Sequence, residues 1–501
     1  MLPVGSPSEN RQLHTAKKRT CSADCMTPCT PHALTRGTTQ RNMFSVTTLY
    51  YIYRDFKRRF WHLGSKKRRG QSSSLMKVFF VCLLASVITT AVAVLVVVFA
   101  SPNRSQTVDS KVLTSTLPPV DVKYKYLNHM EKSKLFKLEG GNVQWARYRS
   151  NPDHYDSREE QEFGDSINSQ QAQVTGSTLL MKPNGCRVPH WHFNANEHGY
   201  LVKGSAWIGI LDSGPFVVTS YNVTAGQVIF LPRSTLHWLK CVGNEDCLFV
   251  LFFTTHEELI TMEVDDVFYS TPQDIAARSL KPKGGIDFIK SFKKPSEKQG
   301  VNLPPNLAEL VRKASYVQSV DSNVWRYFYD LKASKQYKYP GGVMQWARYS
   351  KNSQSLSVNE QIFSQSLHDH EDTLTIATMQ IVSNGMRQPH YHFNANEMGY
   401  VVRGCGKVGV ISKSKIVTNF DINTGDVFFF PHGAQHYIKS TCDEDLFLVI
   451  AYSTGNELQT LDMDIYFQST ADFILAQLFR KHQDEFQKIP TFKVPQDINL
   501  P

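Results

Sequence analysis

Short apolar runs punctuated by Gly, Asn and Asp dominate the chain from about residue 112 onward. Examples are YLVKGSAWIGIL from Tyr200, CLFVLFF from Cys247, YVVRGCGKVGVI from Tyr400 and LFLVIAY from Leu446. Runs of this length between turn residues predict β-strands. Two segments read differently: in TPQDIAARSL from Thr271 and TADFILAQLF from Thr470, apolar positions recur at helical spacing behind a Thr and an acidic residue. The text from Lys281 to Pro305 is rich in Lys, Gly, Ser and Pro and reads as a linker. The pattern is written twice. GGNVQWARY from Gly140 returns as GGVMQWARY from Gly341, and Glu258-Leu259 and Ser270-Thr271 return as Glu457-Leu458 and Ser469-Thr470. The offset drifts only from 201 to 199. A length of 501 residues suits two or three domains, and the repeat puts two mostly-β modules at 112–290 and 310–495.

One run is of another kind. Val78 to Ala100 is 23 residues without a charge, long enough to cross about 30 Å of hydrocarbon as a single transmembrane helix. Residues 1–77 carry fifteen Lys/Arg against three Asp/Glu, a net of +12, so the rest of the chain is near −2 within a total of +10. Clusters such as KRR at Lys57 and KKRR at Lys66 stand where cytoplasmic anchors stand. Attraction to anionic lipid accounts for them more cheaply than a nucleic-acid partner, and none is expected. The expected topology is therefore a basic cytoplasmic tail (1–77), a membrane segment (78–100) and both modules lumenal or extracellular, as in a type II membrane protein. The sequons Asn103-Arg-Ser and Asn222-Val-Thr both follow the membrane segment. Translation from Met76 would turn the same run into a signal peptide and release a secreted protein.

The nine cysteines divide the same way. Cys21, Cys25 and Cys29, near His32, fit no common zinc spacing and read as free or lipidated thiols. Cys241 and Cys247 flank a turn-like VGNED, where an oxidising compartment permits a disulfide. Cys186, Cys405 and Cys442 leave an odd thiol that the sequence does not pair.

The candidate chemistry is also duplicated. PHWHFNANEHGY from Pro189 and PHYHFNANEMGY from Pro389 each hold a His-x-His pair with a Glu five residues after the second His. A further His follows that second His by 45 residues (His237) or 44 (His436), after the apolar GQVIFLP or GDVFFFP. Side chains at i and i+2 of a strand share a face, so His190 with His192, and His390 with His392, can converge on one ion. Glu197 or Glu397 and the distant His complete each set if a barrel brings the strands together. Three imidazoles and one carboxylate leave two octahedral positions open, which suits Mn(II) or Fe(II) better than tetrahedral zinc. Two ions per chain are expected.

These residues resemble the cupins, small antiparallel jelly-roll barrels (double-stranded β-helices) with a three-His, one-Glu metal centre. The first cupin motif is matched by Gly185, His190, His192, Glu197 and Gly204, and again by Gly385, His390, His392, Glu397 and Gly404. Gly425, Pro431, Gly433 and His436 meet the second motif in full, whereas the first module has Ser234 in place of the Gly after Pro232. That departure bears on loop geometry rather than on the ligand. The resemblance covers roughly 112–495 and implies an all-β fold of two tandem cupin barrels with short C-terminal helices.

MKPNGCRVPHWH resembles the substrate segment of two-barrel oxalate decarboxylases, which place a substrate-binding Arg at the position of Arg187. Arg387 repeats it. Guanidinium suits a small dianionic acid, pairing with one carboxylate while the metal takes the other; a structural salt bridge is the alternative for both arginines. In those enzymes a lid Glu within Ser-Glu-Asn-Ser-Thr returns the proton. Here HEELIT from His256 and GNELQT from Gly455 lack that motif, which leaves Glu258 and Glu457 as candidates or as solvated side chains. The resemblance implies that Mn(II) and dioxygen draw one electron from oxalate and CO2 leaves. Other readings are a Mn cupin oxidase or superoxide dismutase, or a non-enzymatic storage or binding cupin. A homo-oligomer is compatible with all of them.

Overall fold

The computed structural model describes residues 119–211, 218–303, 322–413 and 415–501. The tail and the expected membrane segment lie outside the described residues, as do Cys21, Cys25, Cys29 and Asn103. Among the described residues no helix is long and apolar enough to cross a membrane.

Two barrels form, each from a seven-stranded and a six-stranded antiparallel sheet. In the first, the seven-stranded sheet centres on Glu197–Lys203, Cys247–Phe253 and Thr175–Met181, and the six-stranded one on Cys186–His192, Leu236–Val242 and Ser205–Leu211. The second barrel repeats this with Glu397–Arg403, Leu446–Tyr452 and Thr375–Ile381 facing Met386–His392, Gln435–Ser440 and Cys405–Ile411. Gly204 and Gly404 turn the chain from one sheet to the other with φ of 89° and 85°. A Cβ at Gly204 would meet the Asp246 carbonyl at 2.6 Å, so both conformation and space require glycine there.

Three apolar cores result. One fills each barrel, and a third lies between the backs of the two seven-stranded sheets. Phe249, Leu251 and Phe253 point into the first barrel, while Val250 and Phe252 of the same strand enter the shared core with Val449 and Ala451. A strand buried on both faces has no polar side to show, which is why CLFVLFF and LFLVIAY are unbroken apolar runs instead of alternating ones. The helices Arg158–Ser169 and Val358–Asp369 add Phe163, Ile167, Phe363 and Leu367 to this shared core.

The modules are interleaved beyond the boundaries that the repeat suggests. Leu127–His129, ahead of the first barrel, pairs with Asp426–Phe430 of the second. Reciprocally, Phe328–Tyr329 pairs with Val228–Leu231 of the first. The short strand Val301–Asn302, within the expected linker, pairs with Cys186–His192, as Ile498–Asn499 does with Met386–His392. Short helices follow each barrel at Val264–Ser270, Gln273–Leu280 and Gly285–Ser291, and again at Met463–Ser469 and Asp472–Phe479. Cys241 and Cys247 form a disulfide (Cα–Cα 5.7 Å), Cys405 and Cys442 form a second (5.5 Å), and Cys186 is the free thiol among the described cysteines.

Candidate metal centres

Each barrel gathers its four candidate ligands from both sheets. His190 and His192 share one strand of the six-stranded sheet, and His237 on the neighbouring strand stands in register with His190. Glu197 opens the facing strand of the seven-stranded sheet, between Leu231 and Phe253. His390, His392, His436 and Glu397 repeat the arrangement. In each set the donor atoms lie within 4.8 Å of one another, and all eight side chains are buried.

The ring orientations are fixed from behind. Nδ1 of His190 lies 2.7 Å from the Val188 carbonyl, and Nδ1 of His237 lies 2.7 Å from that of Thr235. His390 and His436 use the Gln388 and Ala434 carbonyls at 2.7 and 2.9 Å. A carbonyl only accepts, so Nδ1 carries the proton and each Nε2 lone pair turns inward. His192 and His392 rest Nδ1 against the Thr261 and Thr460 hydroxyls at 2.9 Å. The four carbonyls set the tautomer that a metal requires, and the two hydroxyls can accept from the same one.

The inward atoms fit a cation. Nε2 of His190 and of His237 are 3.1 Å apart, and with both protons on Nδ1 only lone pairs face each other there. Oε2 of Glu197 lies 3.0 Å from Nε2 of His192 and 3.3 Å from that of His237. In the second barrel Oε2 of Glu397 lies 2.8 and 3.2 Å from Nε2 of His392 and His436, while its buried Oε1 has no hydrogen-bond partner. Three neutral nitrogens and a carboxylate directed at one point are the donors of a divalent first-row ion.

Electrostatics keep the donors in binding form. Burial lowers the pKa of His192 and of His392 to about 4. His190 and His390 are pushed well below the ordinary imidazole value by burial and then by the charge of Arg187 or Arg387. Burial alone would raise Glu197 and Glu397, but the close ring nitrogens of the surrounding histidines bring both well below the usual carboxylate range. Neutral imidazoles and ionised carboxylates are what a metal needs near neutral pH.

The expected substrate groups are placed differently. Arg187 lies beside the first set, donating through Nη1 to Glu263 at 2.6 Å and to the Gly300 carbonyl at 2.9 Å. Arg387 pairs through Nη1 with Asp462 and with the Asp497 carbonyl at 3.0 Å. Burial would lower the Arg387 guanidinium, but Asp462 overrides it and raises its pKa. Each arginine thus already holds a carboxylate, and the last short strand of its module lies across it. Glu258 and Glu457 belong to neither cluster. Glu258 accepts from the Ser150 hydroxyl, and Glu457 accepts from the Lys351 backbone N–H at 3.0 Å.

Several contributors carry no motif in the sequence. Thr261 and Thr460 sit in strands of three residues with no pattern of their own. Asn196 and Asn396, each just before the ligand Glu, hook into the opposite barrel. Asn196 Nδ2 donates to the Glu371 carbonyl at 2.7 Å and Asn396 Nδ2 to that of Ala172 at 2.7 Å. For these two the repeated FNANE is a signal that could have pointed to them. The two centres also differ, because the ring edge-on to the second histidine is Phe253 in one and Tyr452 in the other, at 5.2 and 5.0 Å.

Comparison with known proteins agrees with this geometry. A cupin family model matches residues 165–284 and 348–472, and a CLLAC-motif containing domain model matches 72–100. An oxalate decarboxylase of Arthroderma benhamiae is 21% identical over 310 residues, covering 56% of this chain and 66% of that one. The chain thus spans about two thirds of that relative. A legumin type B of Vicia faba is 32% identical over 108 residues, 22% of each chain. Among solved structures, a Bacillus subtilis oxalate decarboxylase studied for its Mn(II) centres superposes with a TM-score of 0.57 at 17% identity, over 74% of this chain and 88% of that one. By sequence the chain carries two cupin domains, and its fold is a bicupin similar to that of the oxalate decarboxylases.

Proposed function

We propose that the chain is a membrane-anchored, extracytoplasmic bicupin that binds Mn(II) in both barrels and decarboxylates oxalate or a similar small carboxylic acid. The observation that carries this is the pair of buried His3Glu clusters, each with its four donor atoms within 4.8 Å of one another. Similarity to oxalate decarboxylases supports the reaction class, and the Mn(II) centres of the structural neighbour support manganese over iron. When bound, the metal supplies Lewis acidity and one-electron chemistry to a carboxylate. The chain's own residues do the rest. Burial holds His190, His192, His390 and His392 neutral, and Arg187 or Arg387 orients the far end of the acid from beside the first histidine. To do so the guanidinium must share itself between Glu263 or Asp462 and the substrate. Proton return falls to Glu258 or Glu457, which requires release from Ser150 or Lys351.

Those same ion pairs favour a second reading. An arginine already satisfied by an acid is a structural arginine, and the stretch similar to legumin is consistent with a cupin that binds without turnover. Metal analysis followed by an oxalate assay separates the two. Two Mn per chain with formate release supports the enzyme; two Mn without oxalate consumption from acidic to neutral pH moves the binding protein ahead. A metal-free product of Mn-supplemented cells removes both. Changing His192 and His392 to Ala together should abolish metal binding, and either alone should leave about half.

The anchor and its orientation rest on the uncharged run 78–100 and the charge imbalance around it. Protease added to sealed vesicles should leave the barrels intact. Digestion from the cytosolic side reverses the orientation.

A further inference from the structure

Resting on the extracytoplasmic orientation, we infer that Asn222 carries an N-linked glycan whose first sugar packs on the indole of Trp207. The sequon alone is weak, since Asn-x-Thr arises by chance. Its setting is what makes it specific. Asn222 lies on Val218–Thr224, the outer strand of the first barrel's six-stranded sheet, and its side chain is exposed while Tyr221 and Val223 on either side are buried. Its directly paired residue on the neighbouring strand is Trp207. Paired residues project from the same face with their Cβ atoms about 5 Å apart, so a sugar joined to Asn222 Nδ2 starts beside the half-buried indole. Trp238 extends this surface. It meets Trp207 edge-on at 6.2 Å and lies over Gly209, where a Cβ would fall 1.9 Å from its ring. Glycine is therefore what allows the second indole to lie flat against the sheet.

The second barrel serves as the internal control. There the corresponding cross-strand pair is Asp421 with Lys407, joined by an ion pair at 3.7 Å, and Tyr437 takes the place of Trp238 over Gly409. A charged pair in one module has thus become a sequon facing an aromatic platform in the other. Both arrangements protect an outer strand. Strand edges invite pairing by other chains, and charge or bulk beside them discourages it. Aromatic faces suit the apolar C–H face of a pyranose.

The modification is a group transfer from a polyprenyl-diphosphate-linked oligosaccharide. Asn222 Nδ2 forms a bond to the anomeric carbon and gives up one proton. The bond from that carbon to the diphosphate oxygen breaks, and the lipid diphosphate leaves with the electron pair.

The test uses the full chain made in the secretory pathway of a eukaryotic cell. Peptide mapping after enzymatic deglycosylation in heavy-oxygen water should mark Asn222 as converted to Asp. In sealed vesicles whose barrels resist protease, an unmodified Asn222 overturns the site. Barrels digested from outside overturn the orientation instead, and the site with it. The packing is read separately. Deglycosylation should lower the melting temperature of the parent by a few degrees, but move Trp207→Ala little. An equal shift in both overturns the platform and leaves a glycan that only decorates the surface. Asn222→Gln and Thr224→Ala should each remove the mass shift, the second without touching the modified residue.

Discussion

Ser234 holds a φ of 62° in the turn where the second barrel has Gly433 at 72°. Its N–H still donates to the His192 carbonyl at 2.9 Å, as that of Gly433 does to His392 at 2.9 Å, so the missing motif glycine costs strain and not the ligand. Ser234→Gly should then stabilise the protein by about 0.5–1 kcal/mol in chemical denaturation; no gain would mean that the serine is unstrained. Thr261→Val and Thr460→Val remove the hydroxyl behind a ligand histidine while keeping its volume. Each should weaken metal binding at its own centre by about 10–100-fold, measured by chelator competition. Acid should act on the metal-free protein through the same groups. His192 and His392 titrate near 4 when folded and near 6.5 when unfolded. The unfolded chain therefore takes up more protons between those values, and stability present above pH 6.5 is lost as pH falls towards 4. Across that window each histidine should cost about 1.4 kcal/mol for every tenfold rise in proton concentration. A denaturation midpoint that stays flat there would count against neutral buried histidines. The eight clustered residues are legible from spacing alone; their threonine supports are not, because a hydroxyl in a three-residue strand leaves no periodic trace.

At the level of elements, the arginine-bearing strands decide between enzyme and binder. Arg187→Lys and Arg387→Lys keep the charge but lose the planar fork. If these residues hold substrate, oxalate turnover should fall by at least about tenfold, roughly 1.4 kcal/mol in the barrier, with both metal ions retained. Lost stability with unchanged turnover per folded molecule would make them structural, and Arg387, the more buried of the two, should show that more strongly. Strands are easily read in this chain because the doubly buried ones are continuously apolar. Helices are harder. Nothing apolar announces Arg158–Ser169, although Ser157 caps it by accepting from the Glu160 N–H, and Ser357 with Glu360 forms a reciprocal capping pair at Val358–Asp369. Those helices bury only a narrow stripe, and their polar faces hide it from an apolar search.

At the scale of the whole molecule, the two barrels are not independent bodies joined by a linker. Asn196 and Asn396 reach across in opposite directions, His129 Nδ1 meets Asp426 at 2.6 Å, and the central core belongs to both halves. A fragment of residues 322–501 would lack the Leu127–His129 strand and expose the Val449 and Ala451 face. It should aggregate or stay unfolded, and a monodisperse, cooperatively melting fragment would overturn this. Interleaving is invisible in the sequence because two-residue and three-residue strands carry no pattern of their own. The exchange also bears on synthesis. His129 leaves the ribosome 297 positions before Asp426, an interval of roughly 15–60 s at about 5–20 residues per second. Throughout that wait the early segment has no strand to join, so the nascent chain depends on whatever shields it until the last third has been made.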